Sequence, residues 1–312
     1  MKHIIASLFI AFAGSLAVVG QNHSVSLSGK WAFQIDREDK GIREEWFNKT
    51  LNDRINLPGS MPEKQKGDDV TVRTRWTGRI YARSYYFHPY MEKSRIDGQV
   101  KLPFFLTPDK HYVGVAWYQK RVTVPDSWKG ERVVLFLERP HIETTVWINR
   151  QEVGMQNSLC VPHVYDLTSY VTPGKSYLVT IRVDNRIKEI NVGPDSHRIT
   201  GLTQGNWNGI VGKIELQSTP KVFFEDIQIY PDLAGKKALV CMNVRASSSV
   251  NGEITLSAKS FNTDVNHEIA PVYQTVTVRK GDNLFEMELP MGQDFLIWDE
   301  FSPALYRLTE NK

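Results

Sequence analysis

The fold is decided between residues 117 and 216, where short apolar or alternating runs follow one another: WYQKRVTVP (117–125), VVLFLE (133–138), TTVWIN (144–149), VTIRVDNR (179–186) and GNWNGIVGKIEL (205–216). These runs are rich in β-branched and aromatic residues, and polar turn residues separate them. No long segment of helical periodicity lies between them. The pattern is typical of an antiparallel β-sandwich, so we predict an all-β fold.

Composition limits the classes of protein to which the chain can belong. Its 312 residues are 41% hydrophobic and 11% aromatic, which is enough apolar material for two domains. The formal net charge of +3 is small and no run of Lys or Arg exceeds a pair, so we expect no nucleic-acid partner. No CxxC or Cys/His spacing indicates a metal site, and we expect no cofactor. For Cys160 and Cys241, a disulfide and two buried free thiols both fit, and their apolar neighbours favour buried thiols.

The N-terminus predicts export. Lys2 precedes an apolar segment from Ile4 to Val19, and small residues end it before a polar start. This is the pattern of a secretory signal peptide over residues 1–20, cleaved after Gly20. A membrane anchor is the alternative, but the segment is shorter than the roughly 20 residues that a span needs. We therefore expect a periplasmic or secreted protein with no membrane partner after cleavage.

Five motifs of the central stretch occur in an order that resembles the N-terminal sugar-binding domain of glycoside hydrolase family 2. They are WY (117–118), VPDSWKG (124–130), VWIN (146–149), VDNR (183–186) and NWNGI (206–210). The resemblance covers about residues 25 to 305, and it implies a jelly-roll-like, galactose-binding-type sandwich over residues 22–219. A long loop insertion at residues 61–115 carries many aromatic side chains, which suit sugar stacking or simply pin the loop onto the sandwich.

Residues 220–312 show a second set of strand-like runs, beginning VFFEDIQIYP (222–231). They resemble the immunoglobulin-like domain that follows the sugar-binding domain in family 2. In that family one more strand closes this domain, so we expect the immunoglobulin-like sandwich to be truncated and incomplete. A missing strand leaves an unpaired sheet edge, which favours truncation of a longer protein over a module that stands alone.

The resemblance also implies what the chain lacks. Members of the family cut glycosidic bonds in a (β/α)8 barrel that carries two catalytic glutamates, and retaining hydrolysis needs two carboxyls about 5 Å apart. The acid/base glutamate of the family directly follows an asparagine, and no Asn-Glu dipeptide occurs in these 312 residues. We therefore assign no catalytic residue, and the expected partner is the missing barrel or its split gene product.

Six residues are candidates for substrate binding, in two groups. Asp184, Asn185 and Arg186 end a predicted strand, where binding groups commonly lie; the alternative is that Asp184 and Arg186 pair locally and Asn185 makes a turn. Asn206, Trp207 and Asn208 lie in a glycine-flanked loop, with Trp207 a possible stacking platform. The alternative for this loop is that Trp207 packs inward and the asparagines cap turns. His163 and His197 are each interpreted as structural.

Three hypotheses for function follow. The first is a non-catalytic N-terminal region of a secreted family 2 glycoside hydrolase, which shapes and supports a glycosidase active site and contacts a carbohydrate. The second is a freestanding secreted carbohydrate-binding protein. The third is a structural or docking domain without affinity for sugar. The sequence does not specify the sugar.

Overall fold

The computed structural model describes residues 23–311 except 72, 78–88, 90–107, 189–195, 197–199 and 201–204. The predicted signal peptide, most of the 61–115 insertion and His197 lie outside the described residues. Among the residues that are described, no helix is long and apolar enough to cross a membrane. The chain divides into two compact units at Ser218/Thr219.

The first unit is a β-sandwich, as the alternating runs predict. Its described residues form β1 (His23–Ser26), β2 (Gly29–Asp36), β3 (Asp53–Leu57), β4 (Gly59–Ser60), β5 (Asp68–Asp69), β6 (Lys110–His111), β7 (Val115–Thr123), β8 (Arg132–Pro140), β9 (Glu143–Ile148), β10 (Gln151–Asn157), β11 (His163–Asp166), β12 (Ser176–Asp184) and β13 (Gly209–Thr219). One sheet has the order β1-β13-β8-β11 with β4 paired to β13, and the other has the order β10-β9-β12-β7-β2-β3. Strands β5 and β6 form a separate ribbon.

Alternate residues of the central strands form the core of this sandwich. Phe33, Tyr118 and Ile181 are buried in one cluster with residues of the opposite sheet, such as Leu135 and Ile214. The rings of Phe33 and Tyr118 lie 5.2 Å apart. Because each large apolar side chain contributes about 1.5–3 kcal/mol on burial, this cluster holds the two sheets together.

The outer face of the six-stranded sheet is also covered. Trp117 and Trp147 point to this face, and their rings stack 5.2 Å apart beneath Trp46 and Leu51. The covering segment contains turns over residues 41–45 and a 310 helix at Trp46–Asn48. The amide of Gln119 donates a 2.9 Å hydrogen bond to the Trp46 carbonyl and fixes the segment to β7. Strand β7 is therefore buried on both faces, and both faces carry large apolar side chains.

The first predicted strand is two strands in different sheets. The period-two pattern from Val25 to Asp36 predicts one strand, but the chain leaves the first sheet after Ser26 and enters the second at Gly29. Gly29 has φ of 101°, a conformation that glycine adopts at little cost. The buried Leu27 remains in the core at the crossing, so the alternation of apolar residues continues through the break.

The second unit consists of two three-stranded sheets, β14-β15-β18 and β17-β16-β19. Its strands are β14 (Val222–Asp232), β15 (Lys237–Ala246), β16 (Val250–Phe261), β17 (Glu268–Val278), β18 (Gly281–Pro290) and β19 (Leu305–Asn311). Its core includes Val240, Met242, Leu256 and Leu289. The all-β sandwich prediction is confirmed. Strand β19, which pairs with β16, was not among the predicted strands because its alternation is short; the truncation of this domain stays a prediction.

Both cysteines are free, but the prediction that they are buried is wrong. Cys160 is exposed in the loop after β10, and Cys241 is half-exposed. In β15 the buried residues are Val240 and Met242, so the period of two turns the Cys241 side chain to the outer face.

Gly209 provides a test of how tightly β4 and β13 are joined. It has φ of 141°, and a Cβ there would lie 2.5 Å from the carbonyl oxygen of Gly59. We expect Gly209→Ala to lower the free energy of unfolding by about 1–3 kcal/mol for the backbone conformation and by a similar amount for the clash. Chemical denaturation followed by tryptophan fluorescence measures it, because all tryptophans except Trp298 lie in the first unit.

Gly154→Ala is the matched control, because Gly154 has φ of 152° and a Cβ there meets no atom within 4 Å. Its destabilisation should be smaller than that of Gly209→Ala. Equal losses for the two variants would contradict the tight approach of β4 to β13.

Candidate functional site

Three buried asparagines connect the ends of strands and the adjoining loops at one edge of the first unit. Asn185, which follows β12, accepts a 2.8 Å hydrogen bond from the backbone N–H of Gly114. Its amide nitrogen donates to the carbonyl of Tyr112 and to Oδ1 of Asn206, each at 3.0 Å. Asn206 in turn donates to the carbonyl of Asn185 at 2.8 Å. The loop before β7, the end of β12 and the loop before β13 are thereby held together.

Asn208 extends this asparagine network into the core. Its amide nitrogen donates to the carbonyls of Gly114 and Val183, both at 3.0 Å, and its Oδ1 accepts a 2.7 Å bond from the hydroxyl of Tyr118. Burial raises the pKa of Tyr118 well above its ordinary value, so the hydroxyl remains a donor. Buried backbone groups at strand ends need such partners, and the asparagines supply them.

Asp184 lies in a cluster of charges on the outer face of the six-stranded sheet. Its side chain is fully buried and pairs with Arg186 at 2.6 Å and with Lys188 at 2.7 Å. Arg182, two residues earlier on the same face of β12, lies 3.4 Å away. Asp39, from the segment that covers this face, pairs with both arginines.

Glu143 completes the cluster from the neighbouring strand β9. It pairs with Arg182 at 3.0 Å and with Lys188 at 3.1 Å. Burial acts to raise the pKa of Asp184, but hydrogen bonds from Arg186 and Lys188 outweigh it and hold the pKa well below its usual range. Burial likewise opposes the hydrogen bonds from Arg186 and Arg182 to Asp39, and the pKa of Asp39 is lowered. Both carboxyls are therefore ionised at neutral pH.

Trp207 lies between the two buried asparagines and is itself half-buried. Its ring stacks on the buried ring of His141 with 4.5 Å between centroids and 16° between planes. One face of the indole is thus used within the protein. For this face of the ring, the alternative that Trp207 packs inward is the one that the structure supports.

A cleft of about 730 Å³ lies beside the asparagine network. Its walls come from the start of the covering segment, the β5–β6 ribbon, residues 71 and 73–77, and the loop before β7. They include Arg37, Asp39, Arg73, Arg75, Trp76 and Arg186. Thr77 joins the cleft to the network, because its Oγ1 accepts a 3.4 Å hydrogen bond from Asn206. The asparagines therefore position one wall of this cleft.

The structure brings the predicted site residues together at one edge but gives them different surroundings. Asp184, Asn185, Asn206 and Asn208 are buried and use their polar atoms within the protein. Of the six candidates, Arg186 lines the cleft and Trp207 is partly exposed. Sequence reasoning did not single out Arg73, Arg75 and Trp76 as site residues, because they lie in the aperiodic insertion of residues 61–115.

His163 is structural, as predicted. It is fully buried on β11; its Nδ1 lies 2.6 Å from Oγ1 of Thr144 and its Nε2 lies 3.3 Å from the carbonyl of Ser158. Burial lowers its pKa. Within the described part of the chain, no group of three or more His, Cys, Asp or Glu side chains could hold a metal ion.

Comparison with protein families gives two adjacent matches. Residues 25–220 match the family described as glycosyl hydrolases family 2, sugar binding domain. Residues 222–310 match the family described as glycosyl hydrolases family 2. The two matches meet at the boundary between the compact units.

Curated relatives are whole glycosidases of greater length. A β-glucuronidase of Paenibacillus borealis is 24% identical over 73% of this chain and 34% of its own length. The β-glucuronidase of Rattus norvegicus is 24% identical over 93% of this chain and 38% of its own. A β-galactosidase large subunit of Lactobacillus acidophilus is 22% identical over 92% and 44%. The chain thus spans about a third to less than half of the length of these relatives.

Solved structures share the fold. Bacteroides uniformis β-glucuronidase 2, covalently bound to cyclophellitol-6-carboxylate aziridine, superposes with a TM-score of 0.63 at 16% identity over 93% of this chain and 30% of that one. Ruminococcus gnavus β-glucuronidase superposes with a TM-score of 0.60 at 16% identity, over 93% and 42%.

The charge cluster predicts an acid-dependent stability. The pKa of Asp184 is lowered on folding, so its stabilisation is complete above the ordinary Asp pKa of 3.8 and is lost as the pH falls below it. We expect Asp184→Asn to lower the free energy of unfolding at pH 7 by about 3 kcal/mol, because it leaves three cations beside a neutral group. Between pH 5 and pH 3 the variant should lose less stability than the wild type.

Urea denaturation at pH 7, 5 and 3 measures both effects. Asp126→Asn is the control, because Asp126 pairs with Lys129 on the surface, where both side chains are mostly exposed. An Asp184→Asn variant with the same pH dependence as the wild type would show that the cluster does not stabilise the fold.

Proposed function

The chain belongs to family 2 of the glycosyl hydrolases, and we propose that it is the non-catalytic N-terminal region of a secreted member. The observation that carries the proposal is the position of the matches. The sugar-binding and second domains of the family account for residues 25–310, while the matched region covers only 34% and 44% of two whole relatives. In this proposal the hydrolysis of O-glycosidic bonds belongs to a catalytic barrel, supplied by the rest of a longer polypeptide or by a split gene product.

The first unit would shape the entrance of that active site and contact its carbohydrate. The asparagine network gives its edge a rigid form before any ligand arrives, which lowers the entropic cost of binding. Arg186 and Trp207 are the predicted site residues that reach the surface. Asp184, Asn185, Asn206 and Asn208 act as positioning residues, because their polar atoms hold the loops that carry the exposed groups.

The carboxylates of the charge cluster are poorly suited to hydrolysis. A glycosidase needs one carboxyl with a raised pKa that can donate a proton to the leaving group. The pKa values of Asp184 and Asp39 are lowered instead, since cations surround both groups. Glu143 also lies between Arg182 and Lys188. This cluster supports a structural role and no acid catalysis.

A freestanding carbohydrate-binding protein is the second candidate. The observation that favours it is the half-buried Trp207, which His141 holds in a fixed orientation beside the loop before β13. An indole held in this way can stack on the apolar face of a sugar without loss of rotamer freedom.

The first test is an activity assay on the purified 312-residue chain with a panel of aryl glycosides. We expect release of the aryl group no faster than in a mock purification from the same host, because the proposal places the general acid in the catalytic barrel. Turnover above that control by homogeneous chain would overturn the proposal that this region is non-catalytic.

A second test is a glycan array with the wild type and Trp207→Ala. If the chain binds sugar through this ring, affinity should fall at least about tenfold in the variant, since the stacking contact is lost. Trp298→Ala is the control, because Trp298 is exposed in the second unit. An array without any bound glycan would exclude the freestanding carbohydrate-binding protein and favour the docking role without sugar affinity over it.

A further inference from the structure

The carboxylates of the cleft beside the asparagine network are satisfied within the protein. Asp68 pairs with Arg37 at 2.7 Å, and Asp69 pairs with Lys110 at 2.6 Å. Asp39 pairs with Arg182 and Arg186. Asp36 is buried and accepts hydrogen bonds from the backbone N–H of Lys40 and Gly41 and from the indole of Trp117. None of these acids is left to attract a cationic ligand.

Two arginines of the cleft, in contrast, form no ion pair with the residues that the structure describes. Arg73 and Arg75 are exposed on its wall, and neither guanidinium has an ion-pair partner among the residues that the structure describes. Both residues line the same cleft. Four arginines and four aspartates line the cleft, so its formal charge is balanced as a whole. The guanidinium groups of Arg73 and Arg75 nevertheless lie outside the ion pairs of the described residues, and each can bind a carboxylate in a bidentate fashion.

The segment that carries these arginines is held at several points. The backbone N–H of Arg73 donates a 3.1 Å hydrogen bond to Oγ1 of Thr71. The carbonyl of Arg75 lies 3.1 Å from Nε2 of His111 on β6, and Thr77 is bonded to Asn206. None of these bonds uses an arginine side chain, so the guanidinium groups can be changed without loss of the segment's anchors.

Aromatic side chains line the same cleft as Arg73 and Arg75. The half-buried ring of Trp76 packs against the ring of His111 with 4.8 Å between centroids, and both residues line the cleft. Arg37 lies over the ring of Tyr112 at 5.6 Å. Aromatic rings contact the apolar face of a sugar, while arginine binds its acidic group.

We propose that this cleft binds an acidic oligosaccharide, with a uronate carboxylate bound by Arg73 and Arg75 and the sugar ring packed near Trp76. The inference rests on the proposal that the first unit contacts carbohydrate, and adds that the ligand is anionic. The binding is a property of the sandwich itself and needs no catalytic barrel.

The test compares two probes with the same sugar rings, one with ionised carboxylates and one with neutral methyl esters. Trigalacturonic acid and its methyl ester are titrated by calorimetry into the full 312-residue chain at low ionic strength. We expect the acid to bind more tightly than the ester, and its affinity to fall as salt screens the charges. In the double variant Arg73→Gln/Arg75→Gln, affinity for the acid should fall at least about tenfold to the level of the ester, as charge-assisted hydrogen bonds are lost.

Arg43→Gln is the matched control, because Arg43 is exposed on the covering segment and does not line the cleft. Equal affinity for acid and ester, or a double variant that binds the acid as the wild type does, overturns the anionic site while carbohydrate contact stands. Absence of binding to both probes by the folded wild type overturns the anionic site and also the assignment of carbohydrate contact to the isolated chain. Neither result bears on hydrolysis, which the aryl glycoside assay tests.

Discussion

Buried hydrogen bonds from asparagine side chains to the ends of strands hold in place the edge of the first unit that carries the predicted site residues. A strand that ends at a sheet edge leaves backbone N–H and C=O groups that must find partners once they are buried. Asn185 accepts a hydrogen bond from the N–H of Gly114, and Asn208 donates one to its carbonyl. A single loop position is thereby tied to β12 and to the start of β13, which belong to different sheets.

The covering segment contributes a second constraint at the same edge. It packs Trp46 on the outer face of the six-stranded sheet and delivers Asp39 to the arginines of β12. In a low-dielectric environment an unpaired Arg182 would cost several kcal/mol, so the carboxylates around it are needed for folding. The edge is rigid because hydrogen bonds and ion pairs hold it on both faces of the sheet. In our proposal, recognition of a ligand depends on the groups that remain outside these bonds, on the wall of the cleft.

Much of the fold could be predicted from the residues alone, since period-two alternation survives in almost every strand. What alternation cannot show is where a side chain finds its partner. The Asn-Trp-Asn loop was identified from its composition, but only the structure shows that Asn206 and Asn208 point inward and that Trp207 stacks on His141. The change of sheet between Ser26 and Gly29 could not be predicted, because the buried Leu27 continues the alternation of apolar residues. Arg73 and Arg75 escaped notice since no periodicity marks their segment, and their significance depends on acids paired elsewhere.

The most direct measurement of this account is hydrogen exchange at the backbone amide of Gly114, whose acceptor is the side chain of Asn185. If the asparagine network holds the edge, this amide should be protected as strongly as the amides of the central strand β7, and should exchange only when the first unit unfolds. Exchange at the rate of an unstructured peptide would contradict the account. It would show that the edge opens freely and that the buried asparagines do not organise the site.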